Sequence, residues 1–250
     1  RFVSWSMAKT VTAVMIGINN YDKWPVLECA VNDVIAVKQH LESAGFGRII
    51  MLTDRDATMR RILTVLWHDL PRMMDRNDRL LIFFAGHGQT HESDGRQVGY
   101  IIPVDSDTAG FAETAISMEQ LRNLSSWIPA KHQLYVMDCC YSGLGLARSA
   151  GLAPGISGYL RKVVSKRAVQ IITAGGKDEL AREKKGHGLF TAYFLKAIAG
   201  EADLNRDQFV TGTELGAFLR PAVSEASGHS QTPLYGRIEG EGEFIFNATR

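Results

Sequence analysis

Long apolar stretches are missing from this chain of 250 residues. No run approaches the roughly 18 residues that crossing a membrane takes. Charge of one sign is missing too. The 28 Lys and Arg stand against 27 Asp and Glu, a net charge of +1, which gives neither nucleic acid nor an anionic membrane surface a reason to bind. Cysteine is scarce. Cys29, Cys139 and Cys140 are odd in number, and the adjacent pair cannot bond without straining the peptide between them. A disulfide framework is thereby excluded, and a reducing compartment, the cytoplasm, is expected. The first residues lack the basic, apolar, small-residue order of a secretory signal, and Arg1 in place of Met suggests a piece of a longer protein. What remains is ordinary globular composition, 45% hydrophobic and 22% charged, enough for one large domain or two small ones.

Apolar periodicity divides the chain into alternating elements. Val11–Ile18, Arg48–Leu52, Leu80–Phe84, Leu134–Met137 and Ala168–Ala174 read as strands, the first β-branched and continuous enough to be buried. Val98–Ile102 reads as a short extended piece ended by Pro103, and Glu243–Phe246 as a last edge strand. Helical spacing marks Leu27–Ser43, with Gly45 as its C-terminal stop, and Thr58–Met74, which Pro71 kinks or ends. Ser117–Leu124 opens like a capped helix, and Gly188–Ala199 and Thr213–Ser227 complete the set. Strands alternating with helices imply a mostly parallel sheet covered on both faces, with ligands outside the carboxyl ends of the strands. Residues 143–167, glycine-rich and then basic, read as a linker and processing region between a larger part, 1–142, and a smaller part, 168–250.

Two strands end unusually. "LIFFAGHGQ" runs large apolar residues into His87 between two glycines, and "QLYVMDCCYSG" ends on paired cysteines. A thiol is a useful nucleophile as thiolate, and an imidazole can take its proton and then hand it to a leaving amine. The glycines let a peptide lie close and leave main-chain N–H groups available; those of Gly88 and Cys140 are the candidates for holding an oxyanion. Taken singly, a histidine after a strand and a buried cysteine are usually structural. Together, each at a strand end, they point to catalysis.

"FFAGHG" and "DCCYSG" resemble the signature stretches of caspase-fold cysteine peptidases, above all metacaspases and their bacterial caspase-like relatives. A caspase signature places the His about 50 residues before the Cys, as His87 stands before Cys140. The resemblance implies a three-layer α/β fold, α-β-α around a mostly parallel sheet, with the parts on either side of the linker forming one domain. It makes Cys140 the nucleophile, with Cys139 pointing to the opposite side, and departs from the usual form in having Tyr141 where metacaspases commonly have His. "LECAVNDVIAV" resembles the metacaspase stretch whose aspartate, here Asp33, lines the primary specificity pocket with the aspartate two before the nucleophile, here Asp138. The implied substrates carry Arg or Lys before the scissile bond, since two carboxylates attract a cation and repel an anion. "IITAGGKDELARE", "GHGLFTAYFLKAIAGEADLNRDQFVTGTEL" and "QTPLYGRIEGEGEFIF" are similar to the second half of such domains, so the likeness runs from Val11 to Phe246.

The expected activity is therefore a Cys–His endopeptidase acting on proteins or peptides, needing no cofactor and working as a monomer. If its pocket takes cations, Arg148, Arg161, Lys162, Lys166, Arg167, Lys184 and Lys185 are candidate self-cleavage sites; solvated basic loops are the equal alternative. "DLNRDQFVTGTE" has the oxygen spacing of a calcium loop through Asp203, Asn205, Asp207 and Glu214, but Gln208 stands where a glycine is wanted. A capped inter-helix loop is the simpler reading, with calcium an optional ligand. Two other functions compete: a catalytically silent caspase-fold scaffold in a signalling or defence complex, and a legumain-like or gingipain-like peptidase with another specificity.

Overall fold

A computed structural model describes residues 10–140, 157–176, 183–184 and 186–248, giving only the main chain for Ser93, Cys140, residues 157–159, Arg161, Glu183 and Lys184. Strand β1 (Val11–Gly17) leads into helix α1 (Ala30–Ser43), followed by β2 (Arg48–Thr53). Helix α2 (Met59–Thr64) passes through a wider π turn, Val65–Asp69, into α3 (Leu70–Met73). Pro71 lies at the start of α3; it lacks an N–H, and the wider turn just before it accommodates the ring without ending the helix. Strand β3 (Arg79–Ala85) precedes a small antiparallel sheet of β4 (Gly88–Ser93), β5 (Arg96–Ile101) and β6 (Ile116–Ser117), with the short α4 (Phe111–Thr114) between the last two. Then come α5 (Met118–Trp127), β7 (His132–Cys140), α6 (Ser157–Ser165) and β8 (Ala168–Gly175). The two-residue strands β9 (Glu183–Lys184) and β10 (His187–Gly188) form a hairpin that leads into α7 (Leu189–Lys196). The last elements are β11 (Phe209–Thr211), α8 (Gly212–Ala226), β12 (Leu234–Glu239) and β13 (Ile245–Asn247).

The central sheet has six strands in the order β12-β8-β7-β3-β1-β2, all parallel except β12. Alternate side chains feed two separate cores. Leu80, Ile82 and Phe84 of β3 pack with Tyr135, Met137 and Cys139 of β7 and with α2 and α5. Leu81, Phe83 and Ala85 pack with Leu134, Val136 and helices α1, α7 and α8 on the other face. This is the expected α-β-α layering, produced by a side-chain period of two in strands buried on both sides.

Local chemistry sets the helix ends. Gly45, at φ +84°, closes α1: its N–H bonds the Glu42 carbonyl and the Phe46 N–H bonds the Leu41 carbonyl, a Schellman stop. Ser117 and Gln120 make a reciprocal capping box on α5, as do Thr211 and Glu214 on α8. Two expectations need correction. The last strand, expected at Glu243–Phe246, is β13 at Ile245–Asn247, and it pairs with β11 in a ribbon of its own; the central sheet ends beside β8 on β12, which is antiparallel to it. β12 is half solvated, so it lacks an apolar run to announce it. The linker reading of 143–167 also fails beyond Ser157, where α6 begins and seats Leu160 and Val163 in the interior.

Gly17 shows how closely α1 is seated. A Cβ there would lie 2.6 Å from Val34 Cγ2 and 2.9 Å from the Ala30 carbonyl oxygen. Gly17→Ala is expected to push α1 off the sheet and cost about 1–3 kcal/mol, read as a lower urea midpoint with an unchanged slope.

Candidate active site

The β3–β7 ladder runs in register from Arg79↔His132 to Ala85↔Asp138, and the Gly86 N–H continues it to the Asp138 carbonyl at 3.4 Å. His87 and Cys140 each lie two residues beyond the Ala85–Asp138 pair. They therefore leave the same edge of neighbouring strands. β7 bulges between Met137 and Cys140, where Cys140 pairs with Gly175 of β8. Cys139 is 1% exposed within the core on the α2/α5 face, which makes it a packing residue.

His87 is held from three sides by the loop after β1. Its N–H donates to the Tyr21 hydroxyl at 2.8 Å, and its Nε2 lies 2.8 Å from the Pro25 carbonyl oxygen. A carbonyl only accepts, so Nε2 carries the hydrogen and Nδ1 is the basic nitrogen. The ring packs against Tyr21 and Trp24, at 4.8 and 5.7 Å between centroids. Burial pulls its pKa below the usual histidine value, against the raising effect of the Pro25 carbonyl, and so favours a neutral ring at pH 7. Tyr21 is buried and its phenol is pushed far above its ordinary pKa. Gly86 is required here: a Cβ would stand 2.4 Å from the Tyr21 hydroxyl. The His87 carbonyl takes the Ile102 N–H at 3.0 Å. Gly88 and Ile101 are thus a non-hydrogen-bonded pair, and the Gly88 N–H points away from β5. Tyr21, Trp24 and Pro25 were not identifiable as site residues from sequence, because a carbonyl acceptor leaves no motif.

Asp33, in the first turn of α1, and Asp138, near the end of β7, come together although 105 residues separate them. They are 2% and 8% exposed. The Gly188 N–H donates to Asp33 Oδ2 at 3.0 Å and His187 Nδ1 lies 2.7 Å from Asp33 Oδ1. The Thr191 hydroxyl donates to Asp138 Oδ2 at 2.5 Å. A Cβ on Gly188 would meet Asp33 Oδ2 at 2.9 Å and Asp138 Oδ2 at 3.0 Å, so both carboxylates crowd the first turn of α7, whose partial positive charge favours anions. Burial, and then the charge of Asp33, raise the Asp138 pKa to about 7. His187 and Thr191 are members of this cluster that sequence reasoning missed; the only signal was their place in "GHGLFT".

The remaining sequence candidates lie elsewhere. Arg148 and Lys185 fall outside the described residues, and only the main chain of Arg161 and Lys184 is described, in α6 and β9. Lys162 is exposed on α6. Lys166 pairs with Glu241, and Arg167 pairs with Glu239 at 2.9 Å while bonding the carbonyls of Ala130 and Ser125. These two stand at the amino-terminal end of β8, about 26 Å from the edge carrying His87 by the rise of an eight-residue strand. In the acidic loop, Asp203 accepts the N–H groups of Asp207 and Gln208, and Glu214 Oε2 accepts the N–H and the hydroxyl of Thr211. Gln208 adopts the left-handed backbone, φ +71°, that a glycine would take most easily. Among the described residues no group of three His, Cys, Asp or Glu is gathered so as to hold a metal ion, and no helix is long and apolar enough to cross a membrane.

Comparison with known proteins gives one family and one fold. A family model described as the caspase domain matches residues 10–239. Metacaspase-1 of Mycosarcoma maydis is 32% identical over 164 residues, 58% of this chain and 39% of the fungal protein. Metacaspase-1B of Aspergillus oryzae is 33% identical over 150 residues, 54% of this chain and 35% of that one. The chain thus spans under two fifths of the length of these curated relatives. A crystal structure of a Geobacter sulfurreducens protein superposes with a TM-score of 0.63 over 91% of this chain and 93% of that one, at 14% identity.

The raised Asp138 pKa has a consequence for stability. The folded protein holds that proton up to about pH 7, whereas an unfolded carboxyl releases it near 3.8. Between these values the native state binds more protons, so this group's contribution falls as pH rises. Asp138→Asn is expected to remove that decline, seen by subtracting urea-melt stabilities of the two proteins from pH 4 to pH 7.

Proposed function

The chain belongs to the caspase-domain family, and from that membership and the neighbouring carboxyl ends of β3 and β7 we propose that it is a cysteine endopeptidase using Cys140 and His87. The single observation that carries this reading is the Ala85↔Asp138 register with both residues two positions beyond it. His87 Nδ1 takes the thiol proton of Cys140, and the thiolate attacks the scissile carbonyl carbon. The N–H groups of Gly88 and Cys140 hold the resulting oxyanion, each worth about 3 kcal/mol. Collapse breaks the C–N bond, Nδ1–H gives its proton to the leaving amine, and a thioester remains. Water, deprotonated by the same nitrogen, then releases the acid and restores the thiol.

The paired carboxylates support cleavage after Arg or Lys. Burial and then the charge of Asp33 raise the Asp138 pKa; a guanidinium or ammonium brought to the pair relieves the repulsion between them, whereas an acidic side chain adds to it. The intact His87 setting, with its fixed tautomer, speaks against a silent scaffold. A legumain-like or gingipain-like peptidase would use the same edge but place different groups in the pocket. Lys166 and Arg167 lie at the opposite end of the sheet, so cleavage there proceeds between molecules.

Cys140→Ala is expected to abolish turnover of an Arg-containing fluorogenic peptide, while Cys139→Ala keeps most of it. Equal loss from both, or cleavage after Asp, defeats the assignment. Intact mass during incubation tests the second point: cutting after Lys166 or Arg167 should rise with the square of protein concentration.

A further inference from the structure

Building on the Arg/Lys reading of the pocket, we propose that His187 is a further specificity-determining residue, an internal stand-in for the substrate's cation that must give way for Arg or Lys to reach Asp33. His187 Nδ1 lies 2.7 Å from Asp33 Oδ1, hydrogen-bond distance, and the Asp33 side chain is 3% exposed while that of His187 is 37% exposed. A buried carboxylate is thus covered by a ring that reaches solvent. An ionised carboxylate only accepts, so Nδ1 carries a hydrogen and presents to Asp33 the N–H that a guanidinium would bring. The place is also sterically closed. Gly188 already fills the gap between the two Oδ2 atoms so tightly that a methyl group there would collide with both.

The hairpin carrying the ring is built for displacement. β9 and β10 are two residues each and, among the described residues, pair only with one another. Gly186, at φ +81°, makes the turn. The Gly188 N–H also donates to Asp33, a donor the carboxylate keeps when the ring leaves. Asp138, holding only the Thr191 hydroxyl and main chain among its described partners, is the second attachment for the arriving cation. His187 thereby sets a threshold: a ligand must form stronger bonds to Asp33 than an imidazole does, and a bidentate guanidinium meets that demand better than a point-charge ammonium. Arg is preferred to Lys for this reason.

Calorimetric binding of butylguanidine and of butylamine to the full chain carrying Cys140→Ala, alone and with changes at residue 187, tests the idea. His187→Ala is expected to tighten butylamine by about fivefold, the scale of one partly exposed ion pair, and butylguanidine by less. His187→Asn keeps a donor for Asp33 on a smaller side chain and should fall between wild type and Ala; it also serves if the Ala protein fails to fold. With otherwise wild-type enzyme, the same changes should lower KM for Lys peptides more than for Arg peptides. Weaker binding by His187→Ala that Asn restores, or no change in either, overturns the proposal: the ring is then a support for Asp33 or a bystander. Such results in an enzyme that still cleaves after Arg leave the pocket reading intact. Wild-type cleavage that ignores basic residues overturns both.

Discussion

The register of β3 against β7 is the constraint on which the site depends. Seven consecutive pairs hold it, from Arg79↔His132 to Ala85↔Asp138. In a parallel ladder a slip by one residue would turn every side chain of β7 to the wrong face. Leu134 and Val136 would leave the α1/α7 core, and Tyr135 and Met137 would leave the other. Both faces are filled, so the slip is prohibitive, and the two strands deliver their carboxyl ends to one edge because their interiors are packed.

Side chains at such an edge stand where main-chain bonding is running out, and local partners take over. For His87 these are a phenol, a proline carbonyl and two aromatic faces, all from the loop after β1. That loop is itself tied down, with the Asn19 and Asn20 N–H groups on Asp54 at 2.7 and 2.9 Å and the Asn19 side chain accepting the Val31 N–H of α1. The same helix presents Asp33. One short connection therefore orients the base and positions half of the acidic pair.

The acidic pair is held at a cost. Two carboxylates this close and this dry would rather share a proton, which is what the upward displacement of Asp138 expresses. The first turn of α7 and the ring of His187 offset the repulsion in the free protein. In the proposed reading, an acidic pair maintained this way favours a cation as the missing partner and disfavours an anion.

How much of this was legible in the amino-acid order follows from the range of each interaction. Periods of two and 3.6 located the five parallel strands and the main helices, Gly45 and Ser117 marked helix ends, and the glycine-flanked histidine and paired cysteines announced the two strand ends. The half-solvated edge strand β12 escaped, since its pairing rather than its side chains defines it. So did Tyr21, Pro25, His187 and Thr191, which act through a hydroxyl, a carbonyl and a ring brought from distant parts of the chain. Sequence by itself determined the layered fold and the kinds of chemical group at its carboxyl edge, because burial pattern and residue type are local properties. Only the tertiary structure decided which histidine nitrogen is free, that Cys139 belongs to the core, and what already occupies Asp33, because each depends on contacts between segments that packing, not chain order, makes neighbours.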